Sequence, residues 1–370
     1  MREFRVIDTL HEIDKQQWDV CFPGEVENYD YLLAIEESDL AGFSFRYLTA
    51  WQGSTLQSGT PMFVTDYSLD TTLQGVGRTL TTRIKNAFQK LLTIKLACLG
   101  SPCTEHGAIG FHPRLNEQEK HDLLGEMLAY FETYATSQAC RLLGIKDISE
   151  PFQRRFGKQF HAARFSTVPG MPTAWLNIDF ASIDEYLSRL SAGTRKDMRR
   201  KLRSLDRLRV DYKTNIDDVL PKVMTLYFDT RNRSEWQFEE LTPAYFQRVL
   251  ARMPERSFCT LYYADDQLLA ANLLIHDRET LIDKFFFMNG KLGREYHLYF
   301  LSWFTNIRYC LEHGFTRYQS GQAYYENKLR LGSRLTRNTI YFKHRNVLAQ
   351  GLLRFAAPLL SADEALKKSA

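Results

Sequence analysis

The chain has 370 residues, 44% of them hydrophobic and 13% aromatic, and a net charge of only +4. This exceeds one domain of roughly 100–200 residues, so two domains or one duplicated fold is the expectation, with apolar content ample for the cores. No window approaches the roughly 20 apolar residues of a membrane-spanning helix, and the opening MREFRVIDTL lacks the apolar core of a secretory signal, so a cytoplasmic location is expected.

In chain order, the first half reads as a helix at 29–37, strands at 43–52 (FSFRYLTAWQ) and 60–66 (TPMFVTD), a strand at 94–99 (IKLACL), a helix at 117–137 and a strand at 140–145 (CRLLGI). The segments FHAARFSTV and PTAWLNIDF, within 160–180, lead into the second half. Next comes RKDMRRKLRSLDRLR, 195–209, whose eight Lys/Arg against two Asp give +6, so the remaining chain sums to −2. The basicity is one local feature and does not class the protein as a nucleic-acid binder. We read this run as a helix capped by Thr194 with Asp197 at N3, and Met198, Leu202, Leu205 and Leu208 on one face. It serves either as a solvated surface helix or as a wall that draws an anionic ligand.

The second half opens with helices at 217–233 and 242–253, the latter begun by Thr242 and Pro243. Strands at 258–264, 267–275 and 280–289 form an antiparallel meander. A buried helix at 297–313 ends at Gly314, followed by a strand at 315–320, a short helix at 323–331 and a strand at 338–344. The order ααβββαβαβ is loosely repeated in the first half.

Cys21, Cys98, Cys103, Cys140, Cys259 and Cys310 show no CxxC pair and read as reduced thiols that behave as small hydrophobes, with no disulfides. Cys98, Cys103, His106 and His112 are metal-ligating residue types, but their spacing is not that of a zinc ribbon or finger, and no metal is expected. Asp283 is a candidate base: on its strand it shares a face with Leu281, Phe285 and Phe287, an apolar setting that raises a carboxyl pKa. Lys291, Gly293 and Arg294 precede the buried helix, so cations and free helix N–H groups converge where a pyrophosphate could lie.

The runs RRFGKQFH, SAGTRKDMRRKLR, REYHLYFLSWFTNIRYCLEHGF and QSGQAYYENKLRLG, taken together and in order, resemble the FemAB-like branch of the GNAT acyltransferase superfamily, which includes peptidoglycan-biosynthesis-related proteins. The likeness runs from about 29 to about 344. It implies an α/β (α+β) fold of two tandem GNAT-like domains, each a mixed, mostly antiparallel sheet flanked by helices: 1–165, then 166–350 with the acyl-donor cleft, then a tail at 351–370. In the family's GxQGEHK pattern, Gln322, Glu326 and Lys328 match, with Tyr324 where glycine is usual and Asn327 where histidine is; NGKLGREY, 289–296, stands in place of the usual pyrophosphate loop. Gln322, Tyr324 and Lys328 are thereby expected to bind substrate.

N-acyl transfer needs a deprotonated amine, a donor for the oxyanion and a proton for the departing thiolate. Glu326 is expected to take the amine's proton and Tyr325 to protonate the thiolate. Tyr324 could replace Tyr325, because adjacent helical residues point about 100° apart. The function expected is an N-acyltransferase moving an acyl group from acyl-CoA, or a carrier-bound thioester, to an amine of a small molecule or peptide. The alternatives are a FemAB-like transferase using aminoacyl-tRNA, with the 195–209 helix on RNA phosphates, or a non-catalytic GNAT-fold binding protein.

Overall fold

The computed structural model describes residues 2–68, 93–234 and 238–360. In chain order the first half comprises β1 (Arg2–Ile7), α1 (Lys15–Cys21), α2 (Tyr29–Glu36), β2 (Phe43–Gln52), β3 (Thr55–Ser68), β4 (Thr93–Leu99), β5 (Gly110–Phe111), α3 (Glu117–Ser137), β6 (Leu142–Ser149), α4 (Glu150–Ala162) and β7 (Ser166–Pro169). The second half comprises β8 (Thr173–Asn177), α5 (Ile183–Arg189), α6 (Ala192–Leu202), β9 (Arg209–Lys213), α7 (Leu220–Arg233), α8 (Pro243–Arg252), β10 (Ser257–Ala264), β11 (Gln267–His276), β12 (Thr280–Met288), α9 (Leu292–Glu295), α10 (Leu298–His313), β13 (Arg317–Gln319), α11 (Tyr325–Arg330) and β14 (Arg334–Thr336). The chain then closes with β15 (Asn338–His344) and α12 (Val347–Leu360).

Local chemistry sets the ends of the longer helices. Asn116 and Glu119 form a reciprocal capping box at the start of α3, whose Leu123, Leu124, Met127, Leu128, Phe131 and Ala135 are buried at helical spacing. Gly314 ends α10 at φ 74°, a left-handed cap that costs glycine no Cβ clash. β10 is buried along its whole length, as a central strand must be.

Two mixed sheets result, ordered β1-β2-β3-β4-β6-β15-β7, with β5 on β3, and β14-β8-β13-β12-β11-β10-β9. The expected boundary at 165/166 does not coincide with the sheets. β7 and β15 both lie in the first sheet, β15 pairing antiparallel with β6 from Asn338 opposite Ser149 to His344 opposite Leu142. The chain therefore leaves the first sheet, builds the second and returns, covering a β6 edge that would otherwise present unpaired backbone groups. Residues 351–360, expected as part of a tail, continue α12, while 361–370 lie outside the described residues.

The basic run also folds differently from the expectation. Ser191, not Thr194, caps α6 by accepting from Thr194 N–H, and the helix stops at Leu202. Arg203–Arg207 form a 3-10 turn, and Arg209–Lys213 are drawn out as β9 because they pair antiparallel with Tyr263–Cys259 of β10. Met198 is buried, and Leu202, Leu205 and Leu208 pack half-buried against Leu269 and Leu298.

The halves share one core. Tyr31, Ala34 and Ile35 of α2 pack in the same cluster as Tyr245, Phe246 and Val249 of α8 and Leu261, Leu273 and Ile282 of the second sheet. Each fully buried large apolar side chain contributes about 1.5–3 kcal/mol, so this cluster fixes the two sheets against each other.

Candidate active site

β12 and β13 run parallel, but pair only from Thr280–Ile282 to Arg317–Gln319. Beyond Ile282 the strands part, because β13 ends at Gln319 while β12 continues to Met288. The resulting cleft is lined by Asp283, Phe286, Tyr299, Ser302, Trp303, Tyr318, Ser320 and Lys328. A strand pair that separates exposes polar backbone and side chains inside an otherwise apolar wall, which is what a binding site needs.

Strand alternation puts Asp283 on the cleft face with Leu281, and a β-bulge just after it turns Phe285 and Phe287 away. Between β11 and β12 the register jumps from Leu273 opposite Phe285 to Leu274 opposite Asp283, leaving Lys284 as the extra residue. The expected shared face is therefore corrected. Leu281 and Phe286 pack on the α10 side with Asp283, whereas Phe285 and Phe287 join the shared core on the opposite side. Tyr318 Oη donates to Asp283 Oδ2 at 2.9 Å, and Asn306 Nδ2 donates to the same oxygen at 3.2 Å. Burial pushes the Asp283 carboxyl up to about 6, against the opposing pull of the Tyr318 hydroxyl and the Lys328 charge.

Lys328 reaches the cleft from the turn after β13. Gly321, Ala323 and Tyr324 all have positive φ (76°, 66° and 52°), so two non-glycine residues accept a conformation that costs each roughly 1–2 kcal/mol. Strain of this kind persists where surrounding contacts over-determine it. Here Lys328 Nζ donates to the carbonyls of Gly321 at 2.9 Å and Gln322 at 3.0 Å, closing the turn on itself. Two of its three N–H groups are so engaged, which leaves the third for a ligand. The side chain is only 4% exposed, and burial brings its pKa down to about 8, with the Glu105 and Asp283 carboxylates opposing the fall. Ser320 Oγ, buried at the same wall, has no hydrogen-bond partner among the described residues.

The remaining expected residues fall elsewhere. Glu326 is exposed on the outer side of α11 and does not line the cleft. Tyr325 is buried, but its hydroxyl is spent on the Pro172 carbonyl at 2.8 Å. Tyr324 is 71% exposed, its ring 6.2 Å from that of Tyr299 at the cleft mouth. Gln322 Nε2 donates to Met171 O, bracing the turn against the start of β8. Of the expected set, Asp283 and Lys328 are the two that the fold brings together. Tyr318, Asn306, Tyr299 and Ser320 were not singled out from sequence; only the strand-end position of Ser320, just before Gly321, offered a signal.

A family model for FemAB-like proteins, described as peptidoglycan biosynthesis/recognition, matches residues 109–356. The chain belongs to the FemAB-like family. A crystal structure of FemX superposes with a TM-score of 0.61 at 13% identity, covering 92% of this chain and 98% of that one. A tandem GNAT protein from the clavulanic acid biosynthesis pathway, solved without AcCoA, gives 0.56 at 12% identity, covering 94% and 99%. At these identities the likeness shows the fold, two GNAT-like domains in tandem. No curated protein sequence matches the chain.

In this FemAB-like chain the loop expected to hold a pyrophosphate is occupied by the protein itself. Gly290 N–H donates to the Asp229 carboxylate at 2.7 Å, Lys291 and Leu292 N–H both donate to Asn289 Oδ1, and Gly293 N–H donates to Asn289 O. Arg294 Nε is turned back to Gly290 O at 2.6 Å, and Lys291 is exposed. Gly293 serves close packing, since a Cβ there would lie 2.8 Å from Met288 Sδ. Lys291 is the N-cap of the separate short helix α9 and Arg294 lies within it, and His297 at φ 60° breaks the chain between α9 and α10, so the segment is not one continuous helix start as expected.

The six cysteines are buried and unpaired, and Cys103 lends its carbonyl to Tyr31 Oη and Lys284 Nζ. Among the described residues no group of three His, Cys, Asp or Glu side chains is placed to hold a metal, and no helix is long and apolar enough to cross a membrane. Much of the basic run is internally engaged. Arg200, Lys201 and Arg330 converge on Asp197, Arg195 donates to the Ser188 carbonyl, and Arg207 lies over the Tyr296 ring. Lys196, Arg199 and Arg203 are exposed.

Proposed function

We propose that the protein transfers an activated aminoacyl group from an aminoacyl ester, of the kind carried by tRNA, to an amine of a peptidoglycan-precursor peptide. Membership of the FemAB-like family supports the reaction class. The observation that carries the choice of donor is the loop 289–293, whose N–H groups are taken by Asp229 and Asn289 and whose flanking cation Arg294 is turned back onto the Gly290 carbonyl. A pyrophosphate would have to displace those bonds, including the one to the Asp229 carboxylate, which is already paired with Arg233.

The cleft supplies the two proton-handling groups the reaction needs. The amine nitrogen attacks the ester carbonyl carbon, and its proton passes to Asp283, the C–N bond forming as the carbonyl π bond places charge on oxygen. The third N–H of Lys328 stabilises that oxyanion. As the C–O bond breaks, Lys328 gives the departing hydroxyl oxygen its proton, and the proton on Asp283 returns to Lys328 through water. Tyr318 and Asn306 hold the carboxylate in orientation. Lys196, Arg199 and Arg203 are the cations available to phosphates of a nucleic-acid donor.

Transfer from acyl-CoA is the second reading, favoured by the tandem GNAT fold and by the exposed Lys291 and Arg294. Thermal melting separates the two, because a ligand bound only by the native state raises stability by RT ln(1 + [L]/Kd). We expect no shift with CoA or acetyl-CoA, together with transfer of a radiolabelled amino acid from charged tRNA to a precursor peptide. A CoA-dependent rise in Tm without such transfer would replace the ester donor by a thioester.

A further inference from the structure

A carboxylate from the other half of the chain stands behind the Lys328 turn. Glu105 lies between β4 and β5, is 9% exposed, and accepts from Gln319 Nε2 of β13 at 2.8 Å through Oε2. Its Oε1 is so close to Gly321 that a Cβ there would lie 3.1 Å away, and the Gly321 carbonyl is one of the two that Lys328 Nζ binds. The Glu105 backbone is itself fixed, its N–H donating to Glu27 Oε2 at 3.1 Å, while Glu27 Oε1 binds Lys284 Nζ on the bulge of β12.

We propose that Glu105 is a positioning residue of the cleft: it braces the Gln319–Gly321 turn from the first half and supplies the carboxylate that faces the Lys328 ammonium from behind, opposite Asp283. The proposal rests on the role of Lys328 given above. The charged groups that act on Glu105 are Lys284 and Glu27 on one side and Lys328 on the other, with Gln319 as a neutral donor; those acting on Lys328 are Glu105 and Asp283. Burial raises the Glu105 carboxyl to about 7, with Lys284 opposing and Glu27 reinforcing the rise. The charge behind Lys328 therefore appears in the same pH range in which Lys328 must keep its proton. Asp283 alone would leave one carboxylate both to accept the amine's proton and to hold the ammonium; Glu105 separates those tasks.

The test follows the ammonium directly and needs no substrate. In protein carrying lysine labelled with 13C at Cε, the Lys328 resonance, assigned by its loss in Lys328→Arg, is titrated in wild type, Glu105→Gln and Glu105→Asp. Removing the facing negative charge lowers the Lys328 midpoint by about one pH unit or more in Glu105→Gln, and a smaller fall is expected in Glu105→Asp, whose carboxylate is one methylene further away. The alkaline limb of the transfer rate should move down by the same amount. A Lys328 midpoint unchanged in both variants overturns the proposal. If Glu105→Gln does not fold, Glu105→Asp decides, with no shift counting against it. Failure of the aminoacyl-transfer reading shows separately, as wild-type protein that transfers nothing while the Lys328 titration still responds to residue 105.

Discussion

At the scale of single residues, the cleft pairs an acid made weaker with a base made weaker. Asp283 titrates near 6 and Lys328 near 8, each moved by burial toward neutrality. Catalysis as proposed needs Asp283 ionised and Lys328 protonated. kcat/KM should therefore rise with pH through about 6 and fall through about 8, and a bell-shaped profile between those limbs is the expected result. A rate that stays flat from pH 5 to 9 would count against this pair. Asp283→Asn keeps the shape and removes the base, so transfer should fall by roughly 10² to 10⁴. Glu326→Gln, on the exposed side of α11, should stay within a few-fold of wild type; both are read by initial rates at saturating donor.

At the scale of elements, the site depends on two irregularities, the bulge at Lys284 and the turn from Ser320 to Tyr324. Asp283 faces the cleft and Lys284 the contact with the first half, as alternation requires, and the bulge keeps Phe285 on the side of Lys284 rather than returning it to the cleft. The turn requires left-handed backbone at Gly321, where a Cβ would also press on Glu105. Gly321→Ala should cost about 1–2 kcal/mol of stability from the backbone alone, measured by urea unfolding, and should lower the transfer rate more than it lowers the fraction folded. An activity loss that merely tracks unfolding would show that the turn does not position Lys328.

At the scale of the whole molecule, the two sheets are not separable units. The first takes β15 from the far end of the second, α2 packs into the second sheet's core, and the Glu27–Lys284 pair, 2% exposed on each side, bridges the halves. Breaking a buried ion pair strands the remaining charge, so Lys284→Met should destabilise by about 3–5 kcal/mol, read from the denaturation midpoint. A fragment of residues 1–165 should be aggregation-prone in size-exclusion chromatography, because it leaves the β6 edge open. A monomeric, cooperatively folding fragment would mean that β15 is dispensable.

The sequence by itself determined what depends on short-range pattern. The meander β10–β12, the buried helix α10 with its Gly314 cap and the exact span of α3 follow from apolar periodicity and capping chemistry within a few residues. Resemblance in motif order was enough for the tandem fold, and it pointed to Lys328 as one of the residues that line the cleft. Only the tertiary structure decided where β15 belongs, because strand pairing is non-local and nothing in the pattern NTIYFKH names its partners β6 and β7. It also decided that the helix read over 195–209 stops at Leu202, with a 3-10 turn at 203–207 and Arg209 drawn into the strand that pairs with β10. Which of Glu326 and Asp283 faces the cleft was likewise beyond the sequence: a six-residue helix shows one face to the cleft, a one-residue bulge flips the register of β12 beyond Lys284, and Glu105 reaches the Gln319–Gly321 turn across more than two hundred residues of chain. Orientation at that level is set by packing between elements, which no local pattern encodes.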